Sequence, residues 1–171
     1  MTMISKPSLE LIPATKAHIE IELDMPAMLS GALDAEVPPD WPPGEYDRDA
    51  MHFFYDRLSE GGDAVSGWYS WYAILCADDG SRVLVGAAGF FGPPLDGMAE
   101  IGYSIVAKWQ GRGLASEIVA SLAEHAATKG VHTLKARTFE TNPASIKVLL
   151  KNGFKSIGKT DEGTTVFTKV L

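Results

Sequence analysis

Two periods of apolar spacing alternate along the chain. Leu9, Leu11 and Ile12 fit a short strand that ends at Pro13. Thr15 is placed to cap a helix over residues 17–29, with Pro26 either breaking that helix or starting a second one. Residues 31–46 are rich in proline and acid and predict a rigid loop, because Trp41 within them would be costly to leave in water. Asp47 can cap a helix over 48–58 that places Met51, Phe54, Tyr55 and Leu58 on one face, with Gly61-Gly62 ending it. Residues 68–77, 82–91 and 98–106 read as strands joined by the turns Asp78-Asp79-Gly80-Ser81 and Pro93-Pro94-Leu95-Asp96-Gly97, an antiparallel meander. A helix over 113–128 would bury Leu114, Ile118, Val119, Leu122 and Ala126, turn Glu117 and Glu124 outward, and close at Lys129-Gly130. The strand over 131–139 returns through that helix and is therefore parallel to the strand before it. Asn142 caps a last helix that has Pro143 in its first turn and runs to Lys151. A hairpin of 154–159 and 164–170 closes the chain across Asp161-Glu162-Gly163. The order predicts an α/β (α+β) fold: a mixed, mostly antiparallel central sheet with helices on both faces and one parallel pair.

Composition narrows the class. The 171 residues predict one domain, and 46% hydrophobic content supports a real core. No run approaches the ~18 apolar residues of a membrane helix, and residues 1–10 lack the pattern of a secretory signal. Cys76 is the single cysteine, so no internal disulfide can form and a reducing cytoplasm is the simplest home. It lies in an apolar strand and reads as core, not as a nucleophile. His18, His52, His125 and His132 are scattered without ligand spacing, which predicts no metal. With 15 Lys and Arg against 22 Asp and Glu, the net charge of −7 argues against nucleic acid and favours a cationic amine.

The candidate chemistry sits between the third strand of the meander and the helix after it, at Gln110-Gly111-Arg112-Gly113-Leu114-Ala115. Two glycines let the backbone turn tightly, and the first N–H groups of the helix lack partners, so the turn suits an anion such as a diphosphate. A Walker A loop is excluded, since no Gly-Lys-Ser/Thr follows Gly113. A dinucleotide fingerprint fits poorly, because Ser116 holds the third small position and the preceding strand belongs to a hairpin. Gln110, Gly113 and Ala115 do fit Gln/Arg-x-x-Gly-x-Gly/Ala. Upstream stands Ala99-Glu100-Ile101-Gly102-Tyr103-Ser104-Ile105-Val106; downstream stand Asn142-Pro143-Ala144-Ser145 and Asn152-Gly153-Phe154. Together these motifs resemble the GNAT superfamily of acetyl-CoA-dependent N-acetyltransferases, closest to the branch of ribosomal-protein N-terminal acetyltransferases.

That resemblance implies a sheet whose parallel strands splay around the cofactor, and direct transfer of an acetyl group from acetyl-CoA to a primary amine, on a peptide N-terminus or a small molecule. It implies that the amides of Gln110, Gly111, Arg112, Gly113, Leu114 and Ala115 hold the diphosphate, that Ile105 and Val106 pair with the pantetheine arm, and that Asn142 also contacts it. Glu100 becomes the candidate base, with Asp161 or Glu162 of the final hairpin as rivals. Ser145 becomes the candidate proton donor to the leaving thiolate, since no tyrosine follows it between Ile146 and Leu149. Trp41, Tyr46, Phe54, Trp68, Trp71 and Tyr103 could wall an acceptor pocket, but aromatics are usually buried for packing alone, and that reading is the stronger for each. A homodimer is the family-based expectation. A non-catalytic acyl-CoA-binding module of the same fold is the alternative reading.

Overall fold

The computed structural model describes residues 8–171, so most of the stretch read for a leader pattern lies outside the described residues. The strands are β1 (Ser8–Pro13), β2 (Ser70–Cys76), β3 (Arg82–Phe90), β4 (Met98–Ile105), β5 (Thr133–Phe139), β6 (Lys155–Lys159) and β7 (Thr164–Val170). They form one seven-stranded sheet in the order β1-β2-β3-β4-β5-β7-β6. All neighbours are antiparallel except β4 and β5, which run parallel. The helices are α1 (Lys16–Asp24), α2 (Leu29–Leu33), α3 (Arg48–Gly61), α4 (Leu114–Thr128) and α5 (Pro143–Lys151). Among the described residues, no helix is long and apolar enough to cross a membrane.

The sheet separates two cores. On one face Tyr72, Ile74, Leu84 and Ala87 pack against Ile19, Leu29, Leu33, Met51, Phe54 and Leu58 of α1, α2 and α3. On the other, Ala73, Val85, Phe90, Ala99, Ile101, Leu134 and Ala136 pack against Leu114, Ile118, Val119, Leu122 and Ala126 of α4 and Leu149 of α5. Central strands covered on both faces must be apolar at successive positions, which is why β2 and β3 read as continuous runs.

Several boundaries differ from the sequence expectation. The first helix stops at Asp24, Pro26 opens a 3-10 turn, and α2 restarts at Leu29. Proline lacks the N–H for an interior helical bond, and its ring would strike the preceding turn. The following loop therefore begins after Leu33, not at Gly31. Cys76 is half-buried at the end of β2, packed against the edge of the core under α1–α3, with its Sγ 3.4 Å from Arg82 Nη1 and 3.7 Å from Glu10. Desolvation pushes its thiol up, which keeps it a thiol at neutral pH.

The loop before α3 is pinned by a buried acid that no local pattern foretells. Glu22 is 6% exposed. Its carboxylate accepts from Trp41 Nε1 at 2.9 Å, Tyr46 OH at 2.5 Å and Tyr72 OH at 2.6 Å. Burial pushes its pKa up, and the three hydrogen bonds pull the other way. An acid whose folded value is raised contributes stability below its unfolded value, near 4.5, that is lost as pH rises through the folded value. Glu22→Gln is therefore expected to gain on the wild type as pH rises from about 4 to about 7. Urea unfolding of both proteins across that window measures the difference, and a flat difference would contradict it. Glu22→Ala leaves three donors without an acceptor and should cost about 3 kcal/mol at neutral pH.

Candidate active site

The turn after β4 is built from its own sequence. Ala107–Trp109 forms a single 3-10 turn, and the Gln110 side chain donates Nε2–H to the Ile105 carbonyl at 2.9 Å. Gly111 and Gly113 then take φ of +75° and +79°, a region that residues with a Cβ avoid. Gly113 precedes α4 without any side-chain cap. Gln110 N–H bonds the Ala107 carbonyl, but among the described residues no main-chain N–H from Gly111, Arg112, Gly113, Leu114, Ala115 or Ser116 has a partner. A Cβ added at Gly111 or Gly113 would meet nothing within 4 Å, so the row of amides is open. Leu114 is buried and anchors the helix start. The Arg112 guanidinium stacks 4.6 Å from the centre of the Trp109 ring, with Lys108 Nζ 5.7 Å from it. Two cations thus flank the open amides, an arrangement suited to a diphosphate.

Beside this turn the sheet splits. The parallel pair is joined only from Met98–Thr133 to Ile101–Ala136; beyond it β4 and β5 part. On β4, the Glu100 carbonyl accepts from Phe91 N–H and Val106 N–H donates to Val85, so even-numbered residues turn their main chain toward β3. Alternation leaves the main-chain groups of Tyr103 and Ile105 facing the gap. The Ile105 N–H fits the expected partner of an extended ligand arm. Val106 does not: its N–H bonds Val85 and its carbonyl accepts from Trp109, so both groups are taken.

The two faces of the gap carry different chemistry. On the α5 face, Asn142 Oδ1 accepts from Ser145 N–H at 3.1 Å, the capping bond, which leaves its amide nitrogen available. Ser145 Oγ lies 2.8 Å from Tyr103 OH, and that hydroxyl is also 3.2 Å from the Ser145 carbonyl. Burial pushes the Tyr103 phenol up, against the hydrogen bond from Ser145, so it stays protonated at neutral pH. The sequence pattern offers no tyrosine after Ser145; one arrives from β4. On the opposite face, Glu100 is met by Arg137 Nη2 at 3.0 Å and Lys135 Nζ at 3.9 Å. Asp161 and Glu162 are exposed in the β6–β7 turn, which stands at the open end of the gap because Thr164 pairs with Phe139.

Of the aromatics offered as pocket walls, Tyr46 is buried with Glu22, and Trp68 and Trp71 pack around His125. Trp41 is half-buried against the same core as Tyr46, and Phe54 is buried there. Only Tyr103 borders the gap from within, while Phe54 supports an outer wall formed by Phe91. A separate cavity of about 230 Å³, lined by Leu9, Leu11, Trp71, Ser121, Leu122 and His125, lies between β1, β2 and α4. It shares no lining residue with the gap.

Residues 17–155 match the family model described as the acetyltransferase (GNAT) domain. No curated protein matches the chain in sequence. Solved structures are similar over nearly the full length. The yncA protein of Salmonella typhimurium, solved with its cofactor acetyl-CoA, is 20% identical with a TM-score of 0.59, over 98% of this chain and 95% of that one. The ribosomal-protein-alanine N-acetyltransferase of Brucella melitensis is 22% identical with a TM-score of 0.58, over 95% and 99%. A dodecameric spermidine N-acetyltransferase of Vibrio cholerae is 15% identical with a TM-score of 0.63, over 95% and 93%. These likenesses establish the fold, a mixed sheet with one parallel pair and helices on both faces.

Proposed function

Because the chain belongs to the acetyltransferase (GNAT) domain family, we propose that it is an acetyl-CoA-dependent N-acetyltransferase that moves the acetyl group directly to a primary amine. One observation carries this reading: the row of unpartnered amides from Gly111 to Ser116 opens beside the split between β4 and β5. When bound, acetyl-CoA supplies an acetyl group activated as a thioester.

The chain's own groups then have separate tasks. Gly111, Arg112, Gly113, Leu114 and Ala115 hold the diphosphate by main-chain N–H groups, and the Arg112 and Lys108 side chains add charge. Gln110 works differently from the expectation: its N–H and side chain are both used to shape the turn. Asn142 offers its amide nitrogen and Ile105 its N–H to the extended arm, and an N–H there polarises the acetyl carbonyl as charge develops on oxygen. Glu100 receives the proton lost by the attacking amine, directly or through one water. Lys135 and Arg137 hold the Glu100 carboxylate in place by ion pairing and disfavour the ammonium form of a nearby amine, which aids deprotonation. Ser145 gives a proton to the departing sulfur, and Tyr103 orients it. The carbon–nitrogen bond forms as the carbon–sulfur bond breaks, with one proton taken from nitrogen and one delivered to sulfur.

The reading sets the enzyme in the cytoplasm, as a single domain. Titration calorimetry with acetyl-CoA, followed by thiol release in the presence of peptide, amino-acid, polyamine and aminoglycoside amines, tests it. Binding with turnover of at least one amine is expected. The ion pairing of Glu100 favours a second reading, a binding module without catalysis, which predicts tight binding and no thiol release. Absence of any binding heat would remove both.

A further inference from the structure

The face of the sheet that carries Glu100 sets charged and apolar groups side by side at the split between β4 and β5. Side chains alternate along β4, so Glu100, Gly102 and Ser104 share the face opposite Ala99, Ile101 and Tyr103. The parallel register sets Glu100 beside Lys135, and Arg137 is the first polar residue of β5 past the last joined pair, Ile101–Ala136. Arg137 therefore stands at the apex of the split, next to the place where transfer must occur.

The guanidinium is only partly committed. Its bonds to the two Glu100 oxygens both use Nη2, at 3.0 and 3.2 Å, and the residue's side chain is 46% exposed. Among the described residues, Nε and Nη1 have no partner. Those two donors can hold a second carboxylate. On the other side, Phe91 is 50% exposed, a large apolar group left facing solvent. Phe91 stacks on Phe54 at 6.3 Å between ring centres. Its ring lies over Gly102: a Cβ there would come within 2.9 Å of it, so the glycine keeps the ring in place.

Resting on the acetyl-transfer reading, we propose that the acceptor is a small α-amino acid with an apolar side chain: Arg137 receives its carboxylate, Glu100 faces its ammonium, and Phe91 receives the side chain above Gly102. An α-amino acid carries opposite charges on one carbon, and the Glu100–Arg137 pair presents the complementary charges side by side. The local balance is one acid against two cations, although the whole chain is at −7. A polyamine would bring its second ammonium against Lys135 and Arg137 and be disfavoured there. An N-terminal residue within a peptide has no carboxylate for Arg137.

Thiol release measures kcat/KM for leucine, phenylalanine, leucinamide, glycine, spermidine and an alanine-initiated peptide. Leucine should exceed leucinamide by about tenfold to a hundredfold, the range expected when a charge-assisted hydrogen bond is deprived of its acceptor. Arg137→Gln should bring that ratio close to one, and Phe91→Ala should do the same for leucine against glycine. Each ratio compares two substrates of one variant, so a general fall in activity leaves it unchanged. Equal use of leucine and leucinamide, or preference for spermidine or the peptide, overturns the proposal while acetyl transfer stands. Acetyl-CoA binding without turnover of leucine or phenylalanine also overturns it. No binding heat with acetyl-CoA would instead remove the acetyl-transfer reading itself.

Discussion

Gly113→Val is expected to weaken acetyl-CoA binding by roughly a hundredfold, about 3 kcal/mol, while the fold survives. The reason is conformational. Gly113 has φ of +79°, and a Cβ there would touch none of the described residues within 4 Å. Valine therefore meets no clash, but a β-branched residue resists positive φ by about 1–2 kcal/mol. The turn relieves that strain by swinging its N–H groups out of line, and a branched side chain stands where the diphosphate must lie. The matching control is Gly80→Val in the turn between β2 and β3, where φ is +86° and the space beyond Cβ is also empty. Both variants should lower the melting temperature by about 2–8 °C. Only Gly113→Val should lose the ligand. Calorimetry on both settles the matter: wild-type affinity in Gly113→Val, or equal loss in both, would refute the placement of the diphosphate.

What the sequence revealed follows from how far apart the interacting residues stand. The run from β4 through α4 and β5 to α5 was legible because its signals are local. Gly130, at φ of +82°, and Val131 bond back to Ala127 and Ala126 to close α4, and Asn142 caps α5 through Ser145. The β5 strand begins two residues later than its apolar pattern suggests. His132 and Thr133 N–H groups both bond the Gly97 carbonyl, so the chain is held by a turn until Thr133. Helix α2 reads as loop because Gly31 lowers helix propensity, and packing of Leu29 and Leu33 overrides it. Glu22 sits three residues after Ile19, on the inward face of α1, yet its partners lie 19, 24 and 50 residues away. The Glu100–Arg137 pairing depends on the register of a parallel pair joined through a whole helix, which no local pattern fixes. Tyr103 was legible in principle. Alternation from Ala99 and Ile101 already places it on the α5 face; what the pattern leaves open is which helix residue it meets.

That meeting yields the second large effect. Ser145→Ala is expected to lower kcat by about a hundredfold, the lower range for loss of a positioned proton donor. KM for acetyl-CoA should stay within about twofold, since the missing hydroxyl acts on the leaving sulfur and not in ground-state binding. The helix should be unaffected, because the cap uses the Ser145 main-chain N–H, which alanine retains. Tyr103→Phe removes one hydroxyl and keeps the ring among the core residues around β4. The phenol is held protonated by burial and sits 2.8 Å from Ser145 Oγ. It can donate to that oxygen and leave the serine proton directed at the gap. Tyr103 thus acts through Ser145 and should cost less, about tenfold in kcat. If so, the double variant should be no slower than Ser145→Ala alone, because the tyrosine has nothing left to orient. Losses that multiply would make the two hydroxyls independent. Single losses below about threefold would mean that the thiolate leaves without help from this face, and that proton delivery must be sought from solvent at the open end of the gap.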